Sequence, residues 1–189
     1  MSGVISVAES DPGWARRFEG LRQEYAAAME AAGVPVVAIE HVGSTAVPGL
    51  AAKPIIDCDI VVAEPDVIAA SETLVALGFT ALGQLGIPSR WAFKEPERLA
   101  GTNTYVVIEG SLSLRNHLAV RNILRADSEL REEYGGVKRR VAAVADNIDE
   151  YGQGKSAMIQ RILTAAGLTN EEMASIEANQ VPSHEDHPR

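Results

Sequence analysis

The chain has 189 residues, of which 46% are hydrophobic, and carries a formal net charge of −9 at pH 7. That length suits one domain with a buried core. The negative charge argues against a general nucleic-acid binder, whose affinity rests on basic patches that neutralise phosphates. The single cysteine, Cys58, excludes an intramolecular disulfide and a Cys-rich zinc site. The sequence shows no secretory signal and no apolar run long enough to span a bilayer, so we expect a cytoplasmic protein without membrane contacts.

Hydrophobic periodicity predicts a succession of helices and strands. Apolar and aromatic residues at spacings of three and four predict the helices, and β-branched runs bounded by turn residues predict the strands. The predicted elements are a helix over 11–32, strands over 34–40 and 55–62, a helix over 65–77, strands over 79–83, 90–94 and 102–109, and helices over 111–126, 127–145 and 151–166.

The pattern also divides the chain. Residues 1–167 are predicted to form one domain, in which Gly135 and Gly136 interrupt the helix over 127–145. Residues 168–189 are acidic and carry Pro and Ser, which predicts a weak helix followed by a flexible tail.

Two aspartates, Asp57 and Asp59, lie in the apolar strand over 55–62. Because alternate residues of a strand share a face, both carboxylates point the same way. Neighbouring like charges resist joint ionisation, and a divalent cation offsets that repulsion. Mg²⁺ is usually shared between one or two carboxylates and the phosphates of a substrate. We predict that Asp57 and Asp59 are catalytic, hold Mg²⁺ or Mn²⁺ and open onto a cleft; the alternative is a pair of solvated or hydrogen-bonding carboxylates.

A Gly-Ser turn precedes this strand. Gly43 lets the backbone approach an anion closely, and N–H groups after Ser44 face the same anion, so we predict a phosphate site there. The alternative is a simple turn and helix cap. Arg90 alternates onto the same strand face as Lys94, as a candidate phosphate ligand or a solvated cation. His41 either orients the loop or contacts the ligand.

The stretch over 40–59, EHVGSTAVPGLAAKPIIDCD, resembles the GrpB family, a branch of the nucleotidyltransferase superfamily, and the resemblance spans roughly residues 5 to 166. It implies an α/β (α+β) fold of the nucleotidyltransferase type, a small mixed β-sheet flanked by helices. Arg121 matches an arginine of a family helix and is expected opposite Ser44, on a nucleotide phosphate or a substrate carboxylate. His117 in the same helix is expected to be packed or exposed.

Two further pairs match the family pattern. Tyr134 and Lys138 match a Tyr-x-x-x-Lys pair, and Tyr151 and Lys155 match a similar one. The resemblance implies that Lys155 reaches the phosphate site, with a surface position as the alternative.

Two positions depart from the family pattern. Tyr105 stands where the family carries a histidine, and Asn122 stands where it carries an acid. Because tyrosine is a poor Mg²⁺ ligand and no base near neutral pH, these departures favour a binding module over an enzyme.

Two functions therefore compete. The first is a Mg²⁺-dependent enzyme similar to nucleotidyltransferases, which transfers a nucleotidyl or related group to a small-molecule acceptor. The second is a non-catalytic accessory module that keeps a nucleotide or ligand pocket. For both functions we expect a small-molecule ligand that contains phosphate. The sequence leaves the acceptor and the oligomeric state open.

Overall fold

Five strands form one mixed sheet in a computed structural model that describes residues 6–180. Their order is β1-β2-β5-β4-β3. β2 and β5 run parallel, whereas the β1–β2, β5–β4 and β4–β3 pairs are antiparallel. The strands are β1 (Ala38–Val42), β2 (Ile56–Val62), β3 (Thr80–Gly83), β4 (Arg90–Lys94) and β5 (Thr102–Ile108).

Helices flank this sheet. The described residues contain α1 (Gly13–Ala31), α2 (Val67–Ala76), α3 (Leu112–Ala126), α4 (Ser128–Ala142), α5 (Ile148–Gln153), α6 (Ser156–Ala165) and α7 (Asn170–Gln180). A 3₁₀ turn, Ser44–Ala46, follows β1. The predicted α/β architecture, a small mixed sheet flanked by helices, is confirmed.

The two faces of strand β2 pack in different hydrophobic clusters. Ile56, Cys58 and Ile60 pack into the main core with residues of α1 and α2. Val61, on the other face, packs with Leu114 of α3. Because side chains alternate along a strand, Asp57 and Asp59 share the α3 face with Val61. The predicted orientation of the two carboxylates is therefore confirmed.

Strands β1, β2 and β5 lie side by side in the sheet. The first strand was misplaced, however. It was predicted over 34–40 and lies at Ala38–Val42. Pro35 lacks an N–H group to donate, and the Val37 N–H already reaches the carbonyl of Val61 at 2.9 Å, just outside the ladder. His41 consequently lies inside β1, opposite Cys58.

Two helix predictions were wrong. α4 continues through Gly135 and Gly136. Tyr134 and Lys138 on this helix are buried, and their packing outweighs the low helix propensity of glycine. The helix predicted over 151–166 is instead divided into α5 and α6 at Gly154 and Lys155. A Cβ at Gly154 would lie 2.6 Å from Val141 Cγ1, so glycine permits the close crossing with α4.

The helices after α3 form a second layer around the Gly-Ser turn. Leu130 and Tyr134 of α4 and Ile162 of α6 pack with Leu50, which follows that turn. α7 packs through Ile176 against Leu163 and Leu168. The final residues of the predicted tail, 181–189, lie outside the described residues. Within residues 6–180, no helix combines the length and hydrophobicity needed to cross a bilayer.

Candidate active site

The turn after β1 is fixed by buried hydrogen bonds. Thr45 Oγ1 donates to the carbonyl of Ile55 at 2.9 Å, so His41 Nε2, 3.1 Å away, must donate to the same hydroxyl oxygen. Burial, together with the charges of two nearby arginines, lowers the pKa of His41 to about 4. The neutral imidazole stacks on Phe18, with ring centroids 4.6 Å apart. Of the two roles considered for His41, these contacts favour orientation of the loop.

Gly43 and Asp57 are in direct contact. Gly43 has φ 70° and ψ −171°, a backbone region that is essentially restricted to glycine. A Cβ at this position would lie 2.2 Å from Asp57 Oδ2. The other carboxylate oxygen, Oδ1, accepts a hydrogen bond from Asn103 Nδ2 at 2.7 Å. Burial raises the pKa of Asp57, although the Asn103 amide opposes the rise. The carboxylate is thus fixed between the turn and β5.

Asp59 is placed differently from the prediction. It is fully buried, and its Oδ2 lies 2.7 Å from His117 Nδ1 of α3. Its Oδ1 is buried and has no hydrogen-bond partner among the described residues. The prediction that both carboxylates open onto a cleft is therefore correct for Asp57 and wrong for Asp59. The reason is that α3 crosses this face of the sheet, where the His117 imidazole covers the Asp59 carboxylate.

A cavity of about 310 Å³ opens beside Asp57. Ser44, Asp57 and Lys155, three of the predicted residues, line it. Among the lining residues Asp57 is the only carboxylate, whereas three lysines contribute ammonium groups. The full lining is Ser44, Thr45, Lys53, Ile55, Asp57, Asn103, Lys138, Tyr151, Gly152 and Lys155.

Lys138 is the most buried of the three lysines, with 2% of its surface exposed. Its ammonium donates hydrogen bonds to Ser44 Oγ and, at 3.2 Å, to the carbonyl of Ala51. The ammonium also lies 4.6 Å from the centroid of the Tyr134 ring. Burial lowers the pKa of Lys138 to about 7, and the charge of Lys155 contributes to the decrease. Within the described residues no carboxylate lies in ion-pair distance of this ammonium, so a bound anion would supply the missing counter-charge.

The other two lysines share one aromatic ring. The ammonium of Lys155 lies 3.9 Å from the centroid of the Tyr151 ring, and that of Lys53 lies 5.7 Å from it. Burial lowers the pKa of Lys155 to about 8, and the neighbouring charge of Lys53 contributes. Two ammonium groups on one ring repel each other, and an anion in the cavity would relieve that repulsion.

Arg121, expected opposite Ser44, does not line this cavity. Its Nη1 lies 2.6 Å from Glu40 Oε2 and donates to the carbonyl of His41 at 3.0 Å. Only 12% of its side chain is exposed. The prediction was wrong because α3 crosses over β1. The crossing places Arg121 beside Glu40 of β1 and away from Ser44. Arg121 therefore fastens α3 to β1.

Arg90 also lies outside the cavity. Its guanidinium carbon is 4.5 Å from the centroid of the Tyr105 ring, and it borders a second cavity near His117. Burial raises the pKa of Tyr105 to about 12. The prediction of a common phosphate site for Ser44 and Arg90 was wrong because β5 and β2 separate β4 from the turn.

Sequence reasoning missed several residues of the site. Lys138 was visible only as half of a family Tyr-Lys pair, and nothing indicated that α4 would bring it to Ser44. Asn103 is the register partner of Asp57, so the parallel pairing of β2 and β5 would have identified it. Lys53 and His117 carried no signal in the sequence, because their positions depend on how the loop and α3 fold over the sheet.

Asp57 on the cavity wall and the buried Asp59 behind it are the carboxylates available to hold a single divalent cation. Asp57 and Asp59 lie on one face, and the buried Oδ1 of Asp59 has no protein donor. A cation would satisfy that oxygen and relieve the repulsion between the carboxylates. Within residues 6–180, however, no group of three or more His, Cys, Asp and Glu side chains could hold a metal. The donor set therefore suits a cation that is shared with a ligand.

Comparisons with known proteins identify sequence relatives of this chain. A UPF0157 protein of Halalkalibacterium halodurans is 33% identical over 174 residues, 87% of this chain and 84% of that protein. The UPF0157 protein YqkA of Bacillus subtilis is 35% identical over 130 residues, 68% of this chain but only 38% of that protein. A weaker structural likeness, with a TM-score of 0.46 and 13% identity over 79% of this chain and 50% of the other, is to a poly(U) polymerase bound to MgGTP.

Two further comparisons cover nearly all of the described residues. The crystal structure of the conserved protein GrpB from Enterococcus faecalis has a TM-score of 0.74 and 30% identity, over 85% of this chain and 96% of that one. The family model described as GrpB protein matches residues 4–165. The chain therefore belongs to the GrpB family.

Proposed function

We propose that the protein is a Mg²⁺- or Mn²⁺-dependent transferase that binds a nucleotide or related phosphate ester in the cavity of about 310 Å³. A nucleotidyl or related group would pass to a small-molecule acceptor. The observation that carries the proposal is the convergence of Ser44 and three lysines on a cavity whose single carboxylate is Asp57. Such a surplus of positive charge suits a phosphate ligand.

The residues have separate roles in this proposal. Lys138 and Lys155 would neutralise phosphate oxygens, and the Ser44 hydroxyl would donate a hydrogen bond to one of them. Because Lys138 is buried from solvent, its attraction for an anion is screened less than that of a surface lysine. Lys53, at the side of the Tyr151 ring, would reach the distal end of the ligand.

Asp57 and Asp59 would hold the divalent cation next to these phosphates. Bound there, the cation supplies neutralisation of the charge that develops on the transferred phosphate. The contacts of Gly43 and Asn103 keep the Asp57 carboxylate in one orientation before any ligand arrives. In the transfer itself, the acceptor oxygen forms a bond to phosphorus, the bond to the leaving phosphate breaks, and the acceptor proton is released to solvent.

The test is a screen of nucleoside triphosphates with Mg²⁺ or Mn²⁺ by thermal shift, followed by detection of released pyrophosphate. A ligand at a hundred times its Kd stabilises the fold by about 2.7 kcal/mol. We expect this stabilisation to require both the nucleotide and the cation, and to be lost in Asp57→Asn. The control Glu30→Gln, which neutralises an exposed acid of α1, keeps the wild-type response. A wild-type protein that responds to no nucleotide or divalent ion would contradict the proposal.

A non-catalytic binding module is the second candidate. It is favoured by the His117 imidazole that covers Asp59, and by Tyr105 and Asn122, which depart from the family pattern. A module would bind the nucleotide through the same lysines and release no pyrophosphate with any acceptor. Binding without turnover over a broad panel of small hydroxyl and amine compounds would therefore select the module.

A further inference from the structure

A second cavity, of about 200 Å³, lies beside His117 and does not include the lysines described above. The loop before β4, the first turns of α3 and the middle of α7 form its walls. The lining carries four serine hydroxyls and one side-chain amide and, in these described residues, contains no carboxylate. Its members are Ile87, Pro88, Ser89, Arg90, Ser111, Leu112, Ser113, Asn116, His117, Ser175 and Ile176.

Arg90 gives this cavity its charge. The guanidinium stacks over Tyr105 at 4.5 Å from the ring centroid, and its Nε is buried without a hydrogen-bond partner among the described residues. No described carboxylate lies within 4.0 Å of it. A buried donor of this kind is costly unless an acceptor reaches it. The forked donors of an arginine match the two oxygens of a carboxylate or phosphate.

His117 connects the second cavity to the first. Its ring borders the second cavity, and its Nδ1 lies 2.7 Å from Asp59 Oδ2. Asp57, two residues before Asp59 on the same face of β2, borders the first cavity. A molecule in the second cavity would therefore be separated from Asp59 by one side chain, that of His117.

The outer wall of the second cavity comes from α7. Ser175 and Ile176 border the cavity, and Ile176 is fixed by packing against Leu163 and Leu168. α7 lies outside the residues 4–165 that match the family model. The size and polarity of this cavity are thus set partly by a segment beyond the family pattern, which suits a site that selects one particular molecule.

We infer that the second cavity is the acceptor site, where Arg90 binds a carboxylate or phosphate group of a small molecule while nucleotide occupies the lysine-lined cavity. The acceptor role rests on the proposed function. The binding of an oxyanion at Arg90 does not rest on it. The serines and Asn116 would hydrogen-bond the remainder of the acceptor.

The test is a chemical-shift titration of the ¹⁵N-labelled full chain. The probes are sodium L-glutamate, for a carboxylate, and sodium phosphate, each at constant ionic strength. We expect amide signals of the first turn of α3 and of Ser175 to shift with at least one probe. Arg90→Met should weaken that binding about tenfold or more, and Arg90→Lys should weaken it partly, because lysine keeps the charge but loses the fork. Lys94→Met, an exposed position on the same strand, should leave it unchanged.

Each outcome has a defined meaning. A response to glutamate identifies a carboxylate-bearing acceptor, and a response to phosphate alone identifies a phosphorylated one. Shifts confined to the Ser44 cavity, or equal affinity in wild type and Arg90→Met, overturn the inference. A parallel titration with ATP and Mg²⁺ reports on the Ser44 cavity: its failure removes the proposed function and leaves an Arg90 response standing. If ATP and the Arg90 probe both bind but exclude one another, the acceptor role is wrong.

Discussion

Lys138 donates a hydrogen bond to the Ser44 hydroxyl, although 94 residues separate them in sequence. The contact joins α4 to the turn after β1. The same ammonium donates to the carbonyl of Ala51 and lies over the Tyr134 ring, so two points of the loop between β1 and β2 are attached to one buried charge. A buried ammonium without a carboxylate partner costs free energy in the folded protein. The anionic ligand proposed for the cavity would offset this cost.

Lys138→Met should separate binding from stability. Methionine keeps the apolar stem and removes the desolvated charge, so we expect the free energy of unfolding without ligand to stay equal or increase. Affinity for a nucleotide should fall by about 1.5–3 kcal/mol, the range for a hydrogen bond to a charged group. Urea unfolding and calorimetric titration measure the two quantities. The exposed Arg140→Met, on the same helix, is the control and should change neither. Unchanged nucleotide affinity in Lys138→Met would remove this lysine from the site.

The pH dependence of stability should carry a signature of the same lysine. Burial lowers the pKa of Lys138 from 10.5 to about 7 in the folded protein. Between these two values the unfolded chain binds a proton that the folded protein does not, so stability rises with pH across this window. The slope is at most about 1.4 kcal/mol per pH unit for one proton. Because other groups titrate in the same range, the quantity to measure is the difference in unfolding free energy between wild type and Lys138→Met. We expect it to increase in favour of wild type from pH 7 to pH 9.

Anion affinity should change in the opposite direction. As pH rises through about 7 to 8, Lys138 and then Lys155 lose their charges. Sulfate does not titrate in this range, so it isolates the contribution of the protein. We expect sulfate binding to weaken from pH 6 to pH 9 in wild type, and to weaken less in Lys138→Met. A sulfate affinity that is independent of pH would show that neither lysine contacts the anion.

The strand pattern explains why half of the site could be predicted. Asp57 and Asp59 share a face because side chains alternate along a strand. The sequence also shows directly that Gly43 and Ser44 precede this strand. The contacts that decide accessibility are not local. Whether Asp59 opens onto a cleft depends on where α3 places His117, a relationship across 58 residues. Periodicity shows which face of α3 is polar, but it does not show what that face will cover.

Charged side chains were the least predictable part. Lysine is rarely buried, so the pattern of α4 alone gave no reason to place Lys138 in the interior. The match of Arg121 to a family position suggested a ligand contact. In the structure Arg121 instead forms an ion pair with Glu40. The break between α5 and α6 has the same origin, since Gly154 is explained by a contact with α4 rather than by its own segment.

Arg121→Ala should therefore affect stability more than ligand binding. It removes an ion pair with Glu40 and a hydrogen bond to the His41 carbonyl, in a setting where 12% of the arginine side chain is exposed. We expect the free energy of unfolding to fall by about 2 kcal/mol, because Glu40 and the carbonyl lose a charged donor. Sulfate affinity should stay within a factor of two or so of wild type. A double-mutant cycle with Glu40→Gln measures the pair directly. A tenfold loss of sulfate affinity would restore Arg121 to the anion site.

Gly43→Ala should damage the fold and the site together. The backbone at Gly43, with φ 70° and ψ −171°, costs a residue other than glycine about 1–3 kcal/mol. The new Cβ would also lie 2.2 Å from Asp57 Oδ2, so the carboxylate must move. We expect stability to fall and the response to a divalent cation with nucleotide to disappear. Gly20→Ala is the matched control, since nothing lies within 4 Å of its added Cβ in α1; it should raise stability by about 0.5–1 kcal/mol.

A double-mutant cycle separates the two causes of damage at Gly43. Asp57→Ala removes the two carboxylate atoms closest to the new Cβ, Oδ2 and Cγ, and leaves only the Cβ of residue 57, at 3.0 Å. In that background Gly43→Ala should therefore cost mainly the strain of the backbone conformation. We expect the cost of Gly43→Ala to be lower by about 1 kcal/mol or more in the Asp57→Ala background, as measured by urea unfolding. If the two costs add without coupling, the contact between Gly43 and Asp57 does not constrain the carboxylate. The glycine would then serve the turn alone.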